Sequence, residues 1–211
     1  MERIYISAID CAFDNTGWSI SEYNTETKEI QIKSTGIIRK DKIKIPKDIK
    51  LKTFEDLYII TIIMQEIEEY VLNELNSIIK TNSDCRIILG IEVQGGSQSA
   101  RAAACLGMAK GVLANTINKF ESLDHDKLEY YAFTPGEVKR KIGKGTITKE
   151  QIIDWACDEY NQIIDLKKKA NSYVVNTEGK TKIYGKGAFE HIADSLVIAR
   201  LIVDNIEKEK R

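Results

Sequence analysis

Asp10, Glu92, His191 and Asp194 are the residues of this chain whose types and positions could do chemistry. Asp10 ends the apolar run Ile4-Tyr5-Ile6-Ser7-Ala8-Ile9, and Glu92 ends Ile87-Ile88-Leu89-Gly90-Ile91. A carboxylate closing a hydrophobic strand is costly to bury alone. His191 and Asp194 lie three apart in a segment with helical periodicity, so they share one face, ~5–6 Å apart at Cβ. Two strand-end carboxylates under such a face would make a cage for hard divalent cations. Two cations held in this way can cut a phosphodiester, one activating a water and the other stabilising the departing 3′-oxygen. Each residue also has an ordinary reading. Asp10 could be a turn aspartate, Glu92 a salt-bridged edge residue, Asp194 an exposed helical acid and His191 a surface or core histidine. As a ligand, histidine suits Mn²⁺ better than Mg²⁺; it could instead shuttle a proton.

The elements that must position these residues follow from periodicity. Arg3–Asp10 reads as a buried central strand. Asn15-Thr16-Gly17 is turn chemistry, and alternation over Trp18–Tyr23 and Lys28–Ile38 completes an antiparallel meander. Arg39–Lys52 is a charged connection containing Pro46. Apolar residues at helical spacing over Phe54–Lys80 predict one long amphipathic helix. Arg86–Val93 is a fourth strand. Ser97 is placed to cap a helix over Ser97–Leu123 that is rich in Ala and Gly. Those small residues suit either packing against the sheet or a dimer seam. Leu128–Phe133 is a fifth strand. Thr134-Pro135 opens a short helix through Lys141, and Thr148-Lys149-Glu150-Gln151 opens another as a capping box. Tyr173-Val174-Val175 and Lys182-Ile183-Tyr184 flank a turn, predicting a hairpin insertion within 165–187. Phe189–Lys210 is the last amphipathic helix. The order predicts a single α/β domain over 1–211. Its mixed five-stranded sheet has three antiparallel strands followed by parallel additions, with helices on both faces. The first and fourth strands would be neighbours, so Asp10 and Glu92 would project side by side.

Composition narrows the class. Lysine plus arginine number 31 against 32 acids, a net charge of −1, so global charge does not advertise a polyanion binder. Local charge does. Lysines crowd 39–52, then Lys139, Arg140, Lys141, Lys144 and Lys149, then 167–186. Basic patches around an acidic centre can hold a polyanion at the rim and metals at the middle; the alternative is ordinary solvated lysine. Cys11, Cys85, Cys105 and Cys157 match no zinc spacing and read as reduced core residues, pointing to a reducing interior. No apolar run approaches the ~20 residues that span a bilayer, and because the sequence opens on a strand no secretory leader is expected. The expected location is the cytoplasm, of a bacterium or of a host cell.

These motifs, in this order, resemble the RuvC-type Holliday junction resolvases of the RNase H-like superfamily. Ile6-Ser7-Ala8-Ile9-Asp10 with Asn15-Thr16-Gly17-Trp18-Ser19 resembles their opening motif, and Ile88-Leu89-Gly90-Ile91-Glu92 their second. Ser99 through Leu106-Gly107-Met108-Ala109-Lys110-Gly111 resembles the helix that follows. Tyr131, Pro135, Val138-Lys139, Gly143, Gly145 and Lys149 match the spacing of the basic DNA-contacting region. His191-Ile192-Ala193-Asp194-Ser195-Leu196 resembles the final motif. The resemblance implies an RNase H-like fold, a homodimer and cleavage of four-way DNA junctions that depends on two Mg²⁺ ions, with Mn²⁺ able to substitute. It makes Asp10, Glu92, His191 and Asp194 the catalytic metal ligands and Lys139, Arg140, Lys144 and Lys149 the DNA contacts. The chain departs from the cellular pattern in having Cys11-Ala12 where Pro-Gly is usual. It also has Gly95-Gly96 where an aromatic residue is expected. Both point to a divergent or phage-like branch.

Other classes compete. A broader nuclease for flaps and forks would share every motif. A catalytically silent DNA-binding dimer is opposed by the intact acids. An actin-like phosphotransferase would need a second glycine-rich phosphate loop and a longer chain.

Overall fold

The alternation along the first strand decides the architecture. β1 (Arg3–Cys11) sends Ile4, Ile6 and Ala8 to one face and Tyr5, Ile9 and Cys11 to the other, and both sets are buried. A strand buried on both sides must be central and covered twice. In the structure, a computed structural model that describes residues 3–93, 95–96, 99–123, 125–166, 171–177 and 179–209, it is. β1 lies between β2 (Asn15–Asn24) and β4 (Arg86–Glu92), in a sheet ordered β3-β2-β1-β4-β5. β3 spans Ile30–Arg39 and β5 spans Leu128–Phe133. The first three strands are antiparallel, while β4 and β5 run parallel to β1, as expected.

One face carries the long helix predicted over Phe54–Lys80. It begins as α1 (Lys52–Ile67), widens into a π turn at Glu68–Leu72 and continues as α2 (Asn73–Thr81). The buried residues Ile63, Ile67, Val71, Leu75 and Ile79 recur every four positions. In a regular helix that spacing drifts about 40° per step, and the widened turn takes up the drift. α3 (Ala100–Glu121) packs on the same face, capped by Ser99, which accepts from the Ala102 N–H. The expected cap, Ser97, lies outside the described residues. Of the small residues of α3, Ala109 is buried, whereas Ala103, Ala104, Gly107, Gly111 and Ala114 are exposed. Intrachain packing therefore accounts for few of them.

The other face carries α4 (Pro135–Ile142), α5 (Lys149–Glu159) and the last helix, α6 (Lys186–Glu209). Both α4 and α5 open with the full capping box, Thr134 with Glu137 and Thr148 with Gln151. α6 buries Ile192, Leu196, Ala199 and Val203 against the sheet, as the periodicity predicts. It lies so close to β4 that a Cβ on Gly90 would sit 2.5 Å from Ile202 Cδ1. No helix among the described residues is long and apolar enough to cross a membrane.

The hairpin expected within 165–187 is β7 (Ser172–Thr177) with β8 (Lys180–Gly185). Short β6 (Ile163–Asp165), which periodicity did not reveal, pairs with β7. This small sheet shields the open edge of β3, where unpaired backbone would invite aggregation. The Thr35 carbonyl accepts from Lys182 Nζ at 2.5 Å and from the Tyr184 hydroxyl at 3.0 Å. Gln162 takes the place of a strand partner. Its amide accepts from the Ile32 N–H at 2.6 Å and donates to the Ile32 carbonyl at 3.0 Å. Lys167, Lys168 and Lys169 of the third basic stretch lie outside the described residues.

Candidate active site

The β1–β4 register pairs Ala8 with Gly90 and Ile9 with Ile91, so the next step brings Asp10 alongside Glu92. Both carboxylates leave the sheet on the α6 face, and both are buried, Asp10 at 5% and Glu92 at 7% exposure. α6 supplies the remaining members. Asp10, His191 and Asp194 place one ligand atom each within 4.8 Å of one another. His191 Nδ1 is 2.9 Å from Asp10 Oδ2. Glu92 adjoins this trio from β4 without being part of it.

The approach of α6 depends on Gly17, which pairs with Asp10 across β1 and β2. A Cβ at Gly17 would lie 2.2 Å from the His191 carbonyl oxygen. Only a residue without a side chain lets the helix sit there. Sequence reasoning saw Gly17 as turn chemistry and as part of the opening motif, and missed this packing role.

The electrostatics are those of an unbalanced acidic site. Burial pushes Glu92 up to about 7, helped by the charge of Asp10 and opposed by Lys139 and His191. Burial also pushes Asp194 up to about 8, reinforced by Asp10, Glu92 and Glu190 and opposed by Lys149. Carboxylates held this far above their ordinary range either keep a proton or need a cation. Three carboxylates with one imidazole are a donor set that Mg²⁺ or Mn²⁺ fits.

A stability prediction follows from the sign of the Asp194 shift. Its folded-state value lies above the unfolded value near 3.9. The folded protein therefore holds a proton that the unfolded chain has lost, and stability falls as pH rises from about 4 toward 8. Asp194→Asn removes that loss. In EDTA at pH 7.5 the variant should gain about 1–2 kcal/mol, which for a chain of this length raises Tm by roughly 2–8 °C. Wild type should gain more from added Mg²⁺ than the variant does. Thermal melts with and without the cation check this, and a variant that melts below wild type in EDTA refutes it.

The basic residues expected to meet DNA are exposed on the segment that follows β5. Lys139 acts on Glu92 through charge. Lys149 is ion-paired with Glu190 and acts on Asp194 and Asp10. Arg140 and Lys144 are exposed on the same segment. Glu190 was not singled out from sequence, because its partner lies 41 positions away. From His191 an open cleft of about 490 Å³ runs past Leu106 and Gly96 to Ala12, Phe13 and Asp14. Its far wall is clamped, with Lys40 Nζ 4.4 Å from the centre of the Phe13 ring. Arg101 stands 5.9 Å from the same ring and holds buried Asp56 through two hydrogen bonds.

No protein-family model matches the chain, and no curated protein matches it in sequence. Among solved structures it is similar to RuvC of Thermus thermophilus, with a TM-score of 0.51 at 15% identity, over 92% of this chain and 90% of that one. RuvC of the same organism in complex with a Holliday junction substrate gives a TM-score of 0.51 at 14% identity over the same shares. The Holliday junction resolvase of fowlpox virus matches at a TM-score of 0.48 and 12% identity, over 95% of this chain and 99% of that one. The mixed sheet in the order β3-β2-β1-β4-β5, with helices on both faces and the last helix crossing the ends of β1 and β4, is the RNase H-like fold of the RuvC-type resolvases.

Proposed function

We propose that the chain is a metal-dependent, structure-selective endonuclease that resolves four-way DNA junctions by paired symmetric nicks. The observation that carries this reading is the convergence of Asp10, His191 and Asp194 within 4.8 Å, beside Glu92, at the ends of the interior strands β1 and β4. Asp10, Glu92, His191 and Asp194 would hold two Mg²⁺ ions, or Mn²⁺ in their place. Bound there, the ions supply an activated water and charge neutralisation at the leaving 3′-oxygen. His191 holds Asp10 in place through Nδ1. Lys139 and Lys149 offset the acids and meet the phosphates that approach them. Two cuts need two sites, which a twofold homodimer supplies. The exposed small-residue face of α3 would let two copies approach closely.

The test is one assay. A labelled four-way junction, a fork, a flap and a linear duplex are incubated with protein and Mg²⁺ or Mn²⁺. Paired, symmetric nicks confined to the junction are expected. Equal cutting of every branched form would replace this reading with a general branched-DNA nuclease, and no cutting under either metal would remove both.

Lys139→Ala and Lys144→Ala should each weaken junction binding and flatten its salt dependence by roughly one unit of log K against log salt. Fluorescence anisotropy across a salt series measures this. Unchanged slopes would sink the assignment of these lysines to phosphate contacts.

A further inference from the structure

One strongly basic surface is left unused by the site and by the segment after β5. β3 ends at Arg39, opposite Asn15, at the same edge of the sheet as Asp10. The connection onward to α1 carries Lys40, Lys42, Lys44, Lys47 and Lys50 against Asp41 and Asp48. Ile43 and Ile45 hold it down by packing on the α1 side of the sheet. Lys42, Lys44, Lys47 and Lys50 are exposed, and among the described residues none of them has an ion-pair partner.

Directly after these lysines in sequence, and beside Lys50, the chain exposes large apolar side chains. Leu51 is 63% exposed, Phe54 58% and Leu57 51%. With Asp48, Ile49, Lys50 and Tyr58 they line an open groove of about 520 Å³. A cluster of this kind marks an interaction surface. The active-site cleft reaches the start of the lysine-rich connection. The cleft from His191 ends at Phe13 and Asp14, and Lys40 closes over both, binding Asp14 at 2.8 Å. Arg101, beside Phe13, ties α3 to Asp56, two residues beyond Phe54 in α1.

Charge selects the occupant. A second copy docked here by a twofold axis would set the lysines of one chain against those of the other. A polyanion neutralises them. Phosphates alone would not call for an exposed phenyl ring, but a strand with unstacked bases would, because lysines track its backbone while a base stacks on the ring. We propose that Lys42, Lys44, Lys47 and Phe54 form a second nucleic-acid contact, which receives an unpaired or splayed DNA strand entering the active-site cleft. The contact deepens the nuclease reading and rests on it for the substrate.

The experiment measures binding in EDTA, so cleavage plays no part. Wild type is titrated with a four-way junction, a splayed fork and a linear duplex over a salt series. Lys42→Ala/Lys44→Ala/Lys47→Ala should lower the salt slope by about 1–2. Phe54→Leu should weaken fork and junction binding about tenfold while Phe54→Tyr preserves it, with duplex binding moved less than about twofold. Phe54→Leu keeps the patch apolar, and the melting temperature of each variant confirms its fold. Unchanged binding by the triple variant and by Phe54→Leu, where wild type binds, overturns the contact but leaves the nuclease reading intact. Loss of self-association in sedimentation without loss of DNA binding overturns it in favour of a protein interface. Wild type that binds none of the three DNAs ends both readings. Binding that follows the proposal without any cleavage under Mg²⁺ or Mn²⁺ ends the nuclease reading alone.

Discussion

Asp10→Asn is expected to cut the single-turnover rate of junction cleavage by roughly 10³-fold or more, while junction binding in EDTA stays within a few-fold of wild type. The reason lies in where Asp10 stands. It is buried at the end of β1, in register with Glu92, hydrogen-bonded to His191, and one of the three residues whose ligand atoms converge. Asn keeps the shape and can still accept from the imidazole, so the packing survives. It loses the negative charge a divalent cation requires. Cation binding measured by calorimetry should fall together with the rate. A variant that keeps the wild-type rate to within tenfold would show that Asp10 is no metal ligand, and the proposed chemistry would go with it.

Gly17→Ala should damage stability and activity together. The added methyl would lie 2.2 Å from the carbonyl oxygen of His191 and 2.3 Å from its carbonyl carbon. Those atoms are backbone, so no rotamer change relieves the clash. Either β2 or α6 must move, and α6 is anchored by fully buried Ile192, Leu196, Ile198 and Ile202. Overpacking of this kind costs about 1–3 kcal/mol, which lowers Tm by roughly 2–12 °C. A displacement of about 1 Å at His191 and Asp194 should lower the cleavage rate about 10²-fold. Gly90→Ala is the control. The atoms nearest its methyl are side-chain atoms of buried Ile202 and Ile198, not backbone, so it should cost stability and lower the rate less than Gly17→Ala does. Melting curves and single-turnover rates on both variants decide the matter. A Gly17→Ala protein with wild-type rate would mean that the fit of α6 on β2 does not position the site.

How much was legible in the sequence follows from how local each signal is. Alternation along Arg3–Asp10 and Arg86–Val93 is read from neighbouring residues, so the two carboxylate-bearing strand ends could be found directly. Capping boxes close within four residues; the one at Thr148 and Gln151 is legible, whereas the helix at Thr134 is read from Pro135 and its partner Glu137 is missed. The two halves of the β7–β8 hairpin lie side by side in the chain, and they too were found. β6 was missed because three residues carry too little periodicity. The π turn was missed because it corrects a phase drift that appears only when a whole helix is laid against a sheet.

By itself, then, the sequence determined the order of the five main strands and the helices around them, the two strand-end acids and the His191–Asp194 face, because these rest on periods of two and 3.6 residues. Only the tertiary structure decided that Gly17 seats the last helix, that Lys149 pairs with Glu190, that Gln162 completes the edge of β3 and that Glu92 and Asp194 are pushed toward neutrality. Each of these joins residues distant in the chain or depends on burial, and burial is a property of the packed whole.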